Sequence, residues 1–261
     1  WLEDTYGCKY DLEACNYDPN VDFNDSTLCD YYKDLCGVCV NDGGDNSSCQ
    51  GCTNPTANNY NSDAIIDDGS CTHLVAYYPF DGNANDESGN DYHADIIGNP
   101  LISDHLYIGQ NNTEAISIPY EVIDGLEDFT VKLNVKLENL NIAENYIFSA
   151  ALNAVYNDGQ FNLVYNSPNW QVALNGYQNY VYFNDTAIED LQWHEIIMTR
   201  NNTVLSLYLD GGIIDQVPVP DAPIEVWENG FILGQEQDQT GGGFAATQAL
   251  WGYIDEFKIY N

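Results

Sequence analysis

The sequence predicts an all-β protein, an antiparallel two-sheet sandwich or jelly roll, carried behind a small disulfide-rich and loop-dominated array. Beyond residue 73, apolar residues recur at period two in short runs parted by Asn, Gly, Asp and Pro, the mark of half-buried strands. No stretch carries a convincing helical period. All eight cysteines fall between Cys8 and Cys71, so the first part needs cross-links and the second stands on an apolar core. The expected domains are residues 1–72, with modules at about 7–29, 30–50 and 51–71, and residues 74–261.

Composition narrows function before any motif is read. The 261 residues are 44% hydrophobic, which excludes global disorder. Six Lys and Arg stand against 41 Asp and Glu, a formal charge of −35. Nucleic acid and anionic membrane surfaces are excluded as partners, because phosphates require a basic face. The surplus suits solubility in salt, where self-repulsion is screened, and the binding of hard cations by carboxylates and carbonyls. Cysteine usage places the chain in an oxidising, extracellular setting. No apolar run approaches the ~20 residues of a membrane-spanning helix. Trp1-Leu2-Glu3-Asp4 has no signal-peptide character, so a leader has been removed or the chain is a slice of something longer.

The array repeats itself. Gly7-Cys8, Asn16-Tyr17, Asp25-Ser26 and Cys29 line up with Gly51-Cys52, Asn59-Tyr60, Asp67-Asp68-Gly69-Ser70 and Cys71, as modules in series do. The second repeat holds only Cys52 and Cys71, which predicts that bridge and, by analogy, Cys8–Cys29. Each closes a loop of about twenty residues, worth ~3 kcal/mol on the chain-entropy estimate. Cys15, Cys36, Cys39 and Cys49 then allow three connectivities, of which Cys15–Cys36 with Cys39–Cys49 is the one expected here. A zinc reading of Cys36-x-x-Cys39 and Cys49-x-x-Cys52 is set aside, because Cys52 belongs to its repeat and the two knuckles are close. Asp18, Asn20, Asp22 and Asp25 place oxygen side chains nearly every second position, as calcium loops do, and Asp67 and Asp68 form a looser version. The alternative is ordinary turn chemistry, which uses the same residues.

GCKYDLEACNYDPNVDFNDSTLC and GCTNPTANNYNSDAIIDDGSC resemble the short GC…ACNYDP…DDGSC repeats of large secreted and surface proteins, notably of marine Bacteroidota. CGVCVNDGGDNSSC is similar to the segments that accompany them. The resemblance implies an extracellular stalk.

In the large domain, Phe129, Val131, Leu133, Val135 and Leu137 alternate without a fault. Phe161, Leu163 and Tyr165 follow, then Trp170, Val172 and Leu174, then Ile196 and Met198, then Leu205, Leu207 and Leu209. About thirteen such runs are read in all, on the short-strand pattern of jelly rolls. LVAYYPFDGNANDESGNDYHADIIG, WHEIIMTRNNTVLSLYLDGG and GYIDEFKIYN, in that order, resemble the laminin G-like, concanavalin A-like jelly rolls. That resemblance implies two curved antiparallel sheets with the first and last strands adjacent. It also implies a structural Ca²⁺ on Asp81, Asn83 and Asp86 of the opening turn and Asp255 of the closing strand, and Trp193 in the core.

Catalysis is not expected. His194-Glu195 lacks a second histidine and lies in a strand pattern. A GxSxG elbow and the paired acids of laminarinase-type hydrolases are both missing. Polar strand faces offer Lys132, Asn134, Gln171 and Asn175, with Tyr177 beyond, and rings beside amides suit a carbohydrate. The expectation is a non-enzymatic adhesion or carbohydrate-binding module on a calcium-stabilised stalk, whose partner is an extracellular glycan or a surface protein. The alternative is a structural segment that self-associates into an extracellular fibre or surface layer.

Overall fold

The computed structural model describes residues 4–139, 144–152, 159–174, 180–183, 188 and 190–261. The chain divides into two compact units, Trp1–His73 and Leu74–Asn261.

In the first unit the repeat is visible bond by bond. β1 (Tyr6–Gly7) pairs parallel with β2 (Phe23–Asn24), and β3 (Gln50–Gly51) pairs parallel with β4 (Ile66–Asp67). Asn16 donates to Leu28 O at 2.6 Å and accepts from Asp30 N at 2.8 Å; its repeat mate Asn59 donates to Ser70 O at 2.5 Å and accepts from Thr72 N at 2.9 Å. One amide thus closes each module where a larger protein would use a core. The buried side chains are Cys8, Ala14, Cys49, Cys52 and Ala57, so the bridges themselves are the interior.

Cys8 is bonded to Cys29 and Cys52 to Cys71, but the middle module corrects the expected pairing: Cys15 joins Cys39 and Cys36 joins Cys49. The cause is a tight turn organised by Asp34, whose carboxylate accepts from Val38 N and Asn46 N, both at 2.8 Å. The turn folds Cys39 back beside Lys33 and hands Val40 N to Tyr32 O at 3.1 Å. Cys15, tied to Asp30 O at 2.6 Å, is therefore Cys39's neighbour. Cys36 stays at the turn's tip, facing the Asn46 segment that leads to Cys49.

The second unit is a jelly roll of two antiparallel sheets. Its strands are β5 (Leu74–Tyr78), β6 (Asp95–Ile97), β7 (Leu101–Ile102), β8 (Leu106–Gly109), β9 (Ala115–Ile118), β10 (Phe129–Leu137), β11 (Asn145–Ala151), β12 (Gly159–Asn166), β13 (Asn169–Leu174), β14 (Tyr180–Phe183), β15 (His194–Asn201), β16 (Val204–Leu209), β17 (Gly212–Pro218), β18 (Phe231–Leu233) and β19 (Trp251–Tyr260). They exceed the alternating runs read from sequence because strands as short as β7 have too few residues to alternate. The larger sheet runs β17-β16-β15-β10-β19-β8-β7, with β5 also on β19; the smaller runs β14-β13-β12-β11-β18-β9-β6. The first strand of the unit therefore lies against the last.

Between the sheets lies one apolar core. Every odd residue of β10 is buried and every even one half-exposed, as the pleat requires. Rings cross the gap: Phe129 meets Phe161 at 5.0 Å between centroids, and Phe257 meets Phe148 at 6.2 Å and Phe231 at 6.3 Å. β10 and β19 approach so closely that a Cβ on Gly252 would stand 2.2 Å from Lys136 O, which excludes any larger residue.

Trp193 is not in this core, contrary to expectation. Ile196 and Met198 point inward from β15, so position 193 shares the parity of the outward residues Glu195 and Ile197. Its ring is 41% exposed and packs on His105 and Tyr253.

Two outcomes check this description. Proteolysis without reduction yields a peptide pair joined through Cys15 and Cys39; a Cys15–Cys36 pair would refute the turn argument. Phe257→Ala, which removes a ring held by both sheets, destabilises the domain by ~3–5 kcal/mol and lowers its melting temperature by roughly 10 °C, measured by thermal unfolding.

Candidate functional site

The acidic residues of the array are spent on turns. Asp18 Oδ1 accepts from Asn20 N and Nδ2, Asp22 Oδ2 from Thr5 N and Oγ1, and Asp25 Oδ1 from Thr27 N and Oγ1. Asp67 and Asp68 accept from Gly69 N and Ser70 N. Hydrogen bonds from Thr5, Thr27 and Ser70 hold Asp22, Asp25 and Asp68 below the usual carboxylate range.

The opening turn of the jelly roll separates its four expected ligands. Asp86, only 5% exposed, accepts from Tyr77 N and Ser88 N on one oxygen and from Ser88 Oγ and Tyr92 N on the other. Burial pulls its carboxyl upward, but these four donors win and hold it low. Asp86 is thus a hub for backbone amides with little left for a cation. Asn83 accepts from Asn85 N and donates to Asp81 O. Burial raises the Asp255 carboxyl, and the charges of Glu256 and Asp81 raise it further.

The expected ligand-binding residues divide between opposite faces. Lys132 and Asn134 point outward from β10 in the larger sheet, where Lys132 is paired with Glu195 at 2.5 Å. Gln171 points outward from β13 in the smaller sheet, since Trp170 and Val172 flank it in the core. The two sets cannot share one face, because side-chain parity fixes a residue's face but not which sheet its strand joins. Asn175 and Tyr177 lie outside the described residues.

Chemistry that the sequence did not disclose sits on the outer side of the smaller sheet. There β11 is buried on both faces, because the segment after β18 is laid across it. Gln237 Nε2 donates to Ser149 O, Ser149 Oγ and Gly230 O at 2.9–3.0 Å, and Ser149 Oγ donates to Gln235 O at 2.8 Å. Gln235 Nε2 reaches Asn111 O at 2.5 Å and Glu114 O at 2.8 Å. Both glutamines are wholly buried, so the segment is fastened by amides.

Between them Glu236 is carried under cover, at 6% exposure. Burial pushes its carboxyl up to about 7, and the charges of Asp238 and Glu144 add to the shift. Glu144 directly precedes Asn145, a buried amide that accepts from Trp251 N at 3.0 Å while its Nδ2 has no partner. Among the described residues no three His, Cys, Asp or Glu side chains converge into a metal cage, but Ca²⁺ also accepts amide and carbonyl oxygens, which this segment supplies. The sequence signal was available in Gln235-Glu236-Gln237-Asp238 followed by Gly241-Gly242-Gly243: two carboxylates two apart, in a run with no alternation. On the same outer side, Tyr182, Gln171, Val164 and Tyr146 form one cross-strand row, with the Tyr182 ring 53% exposed.

Known proteins agree with this architecture. Neuronal pentraxin-1 of Homo sapiens is 40% identical over 79 residues, which are 29% of this chain and 18% of that protein. Domain 4 of AbnA, an extracellular GH43 arabinanase of Geobacillus stearothermophilus solved in complex with arabinotriose, superposes with a TM-score of 0.51 at 19% identity, covering 73% of this chain and 93% of that one. The binding domain of botulinum neurotoxin DC, solved in complex with SialylT, gives a TM-score of 0.51 at 14% identity, over 72% of this chain and 47% of that one. At such identities the two structures speak for the fold alone. Residues 110–261 match the family model of the concanavalin A-like lectin/glucanases superfamily, and the chain belongs to that family.

Proposed function

We propose that the chain is a non-enzymatic extracellular binding module whose jelly roll takes a glycan, or a glycan-bearing surface protein, with the help of Ca²⁺ held beside Glu236. The observation that carries this reading is the covered Glu236 carboxyl, raised to about 7 by burial and by Asp238 and Glu144. A cation there would be held by Glu236 and Asp238 together with amide and carbonyl oxygens of their segment, and would supply fixed positive charge on the outer side of the smaller sheet. The exposed Tyr182 ring and the Gln171 amide share that side, and such pairs suit a sugar. The array's disulfides support an extracellular setting, and no helix among the described residues is long and apolar enough to cross a membrane.

A value near 7 would also suit a general acid, but a glycosidase needs two carboxyl groups open to one sugar bond. Glu236 lies beneath its own segment, which favours binding over turnover. The Asp81–Asp255 pair is a further calcium position we propose, of structural kind, relieving the repulsion that raises Asp255. A fibre-forming role keeps one observation in its favour: Tyr10, Leu12, Tyr32 and Leu35 of the array are each more than 70% exposed.

Linkage gives a signed test. The folded Glu236 binds its proton more tightly than an ordinary carboxyl of 4.5 does, so without cation the domain loses stability as pH rises from about 4.5 to about 7. Bound Ca²⁺ restores it, so the rise in melting temperature on adding millimolar Ca²⁺ is small at pH 5 and reaches a few degrees at pH 8. In Glu236→Gln that pH-dependent rise disappears; an unchanged rise would move the metal to Asp81 and Asp255. For the ligand, glycan-array binding in Ca²⁺ is lost in chelator and weakened about tenfold in Tyr182→Ala. Hydrolysis of any bound polysaccharide would overturn the non-enzymatic reading.

A further inference from the structure

The outer face of the larger sheet, on the opposite side of the sandwich, carries a second construction that the calcium reading does not use. Four rings from three parts of the chain meet there. His105, in the turn before β8, stands edge-on to Tyr253 at 4.9 Å and to Trp193 at 5.5 Å between centroids. Tyr107 lies 4.7 Å from Tyr253, and Trp193 lies 6.0 Å from it. Trp193 is the most exposed of the four, with the other three half-buried behind it. Water-exposed indole normally carries an entropic cost of ordering, yet this one is held from both sides. Asp190 Oδ1 accepts from Gln192 N at 2.9 Å and meets His194 Nε2 at 3.0 Å. Asp210 meets His194 Nδ1 at 2.8 Å and accepts from Glu195 N at 2.9 Å. The residues on either side of Trp193 are thus fixed, and the ring is positioned in advance of any ligand.

Polar groups adjoin the rings in register. Lys136 faces Tyr253 across the β10–β19 ladder with its ammonium 5.3 Å from that ring, and Asn134 faces Asp255. Two of the lysines of this face are already paired. Lys132 is paired with Glu195, and Lys258 with Glu256, which also accepts from Tyr77 Oη at 2.6 Å. All three lysines after residue 73 lie on this face, where the carboxylates of Glu138, Glu195, Asp255 and Glu256 outnumber them.

We propose that this face is a second, calcium-independent saccharide site, with Trp193 as the stacking platform and Lys136 and Asn134 as hydroxyl partners, and that it takes a neutral sugar chain. A flat, fixed, amphipathic ring beside a few convergent polar groups is the composition of a small-ligand site. The carboxylates of Glu138 and Asp255 beside the platform repel an acidic glycan, which leaves a neutral one. The site is independent of the Glu236 reading and stands or falls separately.

The test is run in chelator with the Glu236→Gln chain, which silences the calcium-dependent site. Affinity electrophoresis and calorimetry with soluble neutral polysaccharides (a β-glucan, a xylan, an arabinan, a galactomannan) and with alginate as the acidic probe give the readout. At least one neutral probe binds, with little dependence on salt, and Trp193→Ala weakens it by at least about tenfold, while Trp193→Phe keeps most of the affinity at an unchanged melting temperature. Absence of binding by every neutral probe, a preference for alginate, or equal binding by Trp193→Ala would each overturn the proposal. So would self-association of the chain that Trp193→Ala abolishes, since it would assign the face to a second copy.

Discussion

The jelly roll depends on its last strand. β19 pairs with β10 along one edge and with both β8 and β5 along the other, so the larger sheet is two halves until the final ten residues are inserted between them. The same strand sends Phe257 into the core against rings of the other sheet. Its register shifts beside Lys132 and Asn134, where Glu256 adopts a left-handed φ of 53°. Such a bulge turns two successive side chains to one side, and here both are carboxylates, Asp255 and Glu256. Lys258 and Tyr77 settle one of them, holding Glu256 low against the pull of burial. The other is pushed up, first by burial and then by the charges of Glu256 and Asp81, against the hydrogen bond it accepts from Glu256 N.

Two covered carboxylates show how a strongly acidic chain manages buried charge in different ways. Asp86 is surrounded by four donors, three of them backbone amides, so its charge is stabilised and its burial fastens the opening turn. Glu236 is covered to a similar extent, and there burial, with the charges of Asp238 and Glu144, pushes the carboxyl up to about 7. The first arrangement is complete in itself. In the second, burial and like charge raise the carboxyl instead of lowering it. Formal charge alone makes no such distinction, since both residues count equally toward −35.

Legibility from sequence follows the same physics. β10 was readable because one face is wet and one dry, so its pleat is written in the residues. β11 was not, since Asn145–Ala151 is dry on both faces under the Gln235–Gln237 segment. Cys8–Cys29 and Cys52–Cys71 follow from a repeat, whereas the middle pairing hinges on the Asp34 carboxylate, a tertiary fact with no spacing rule. Lys132 and Gln171 both read as outward polar residues, and both are. That they belong to different sheets depends on strand order, which alternation does not encode. The family resemblance implies a core position for Trp193, whereas parity counted from Ile196 turns it outward.

The two units answer the same problem, too little apolar surface for the chain to be fixed, at different scales. In the array, where Tyr10, Leu12, Tyr32 and Leu35 remain exposed, disulfides and the Asn16 and Asn59 amide closures replace a core. Each bridge acts on the unfolded chain, at ~3 kcal/mol apiece on the loop-entropy estimate, and asks nothing of side-chain packing. Its surface residues are therefore free to vary without loss of the fold. In the jelly roll the core is large enough to hold both sheets, and amides are used instead to fasten a segment over an already finished face. Gln235 and Gln237 spend their donors on backbone carbonyls and on Ser149. What that fastening achieves is position: it holds the Glu236 carboxyl beside Glu144 and Asp238 on the outer side of a rigid sheet.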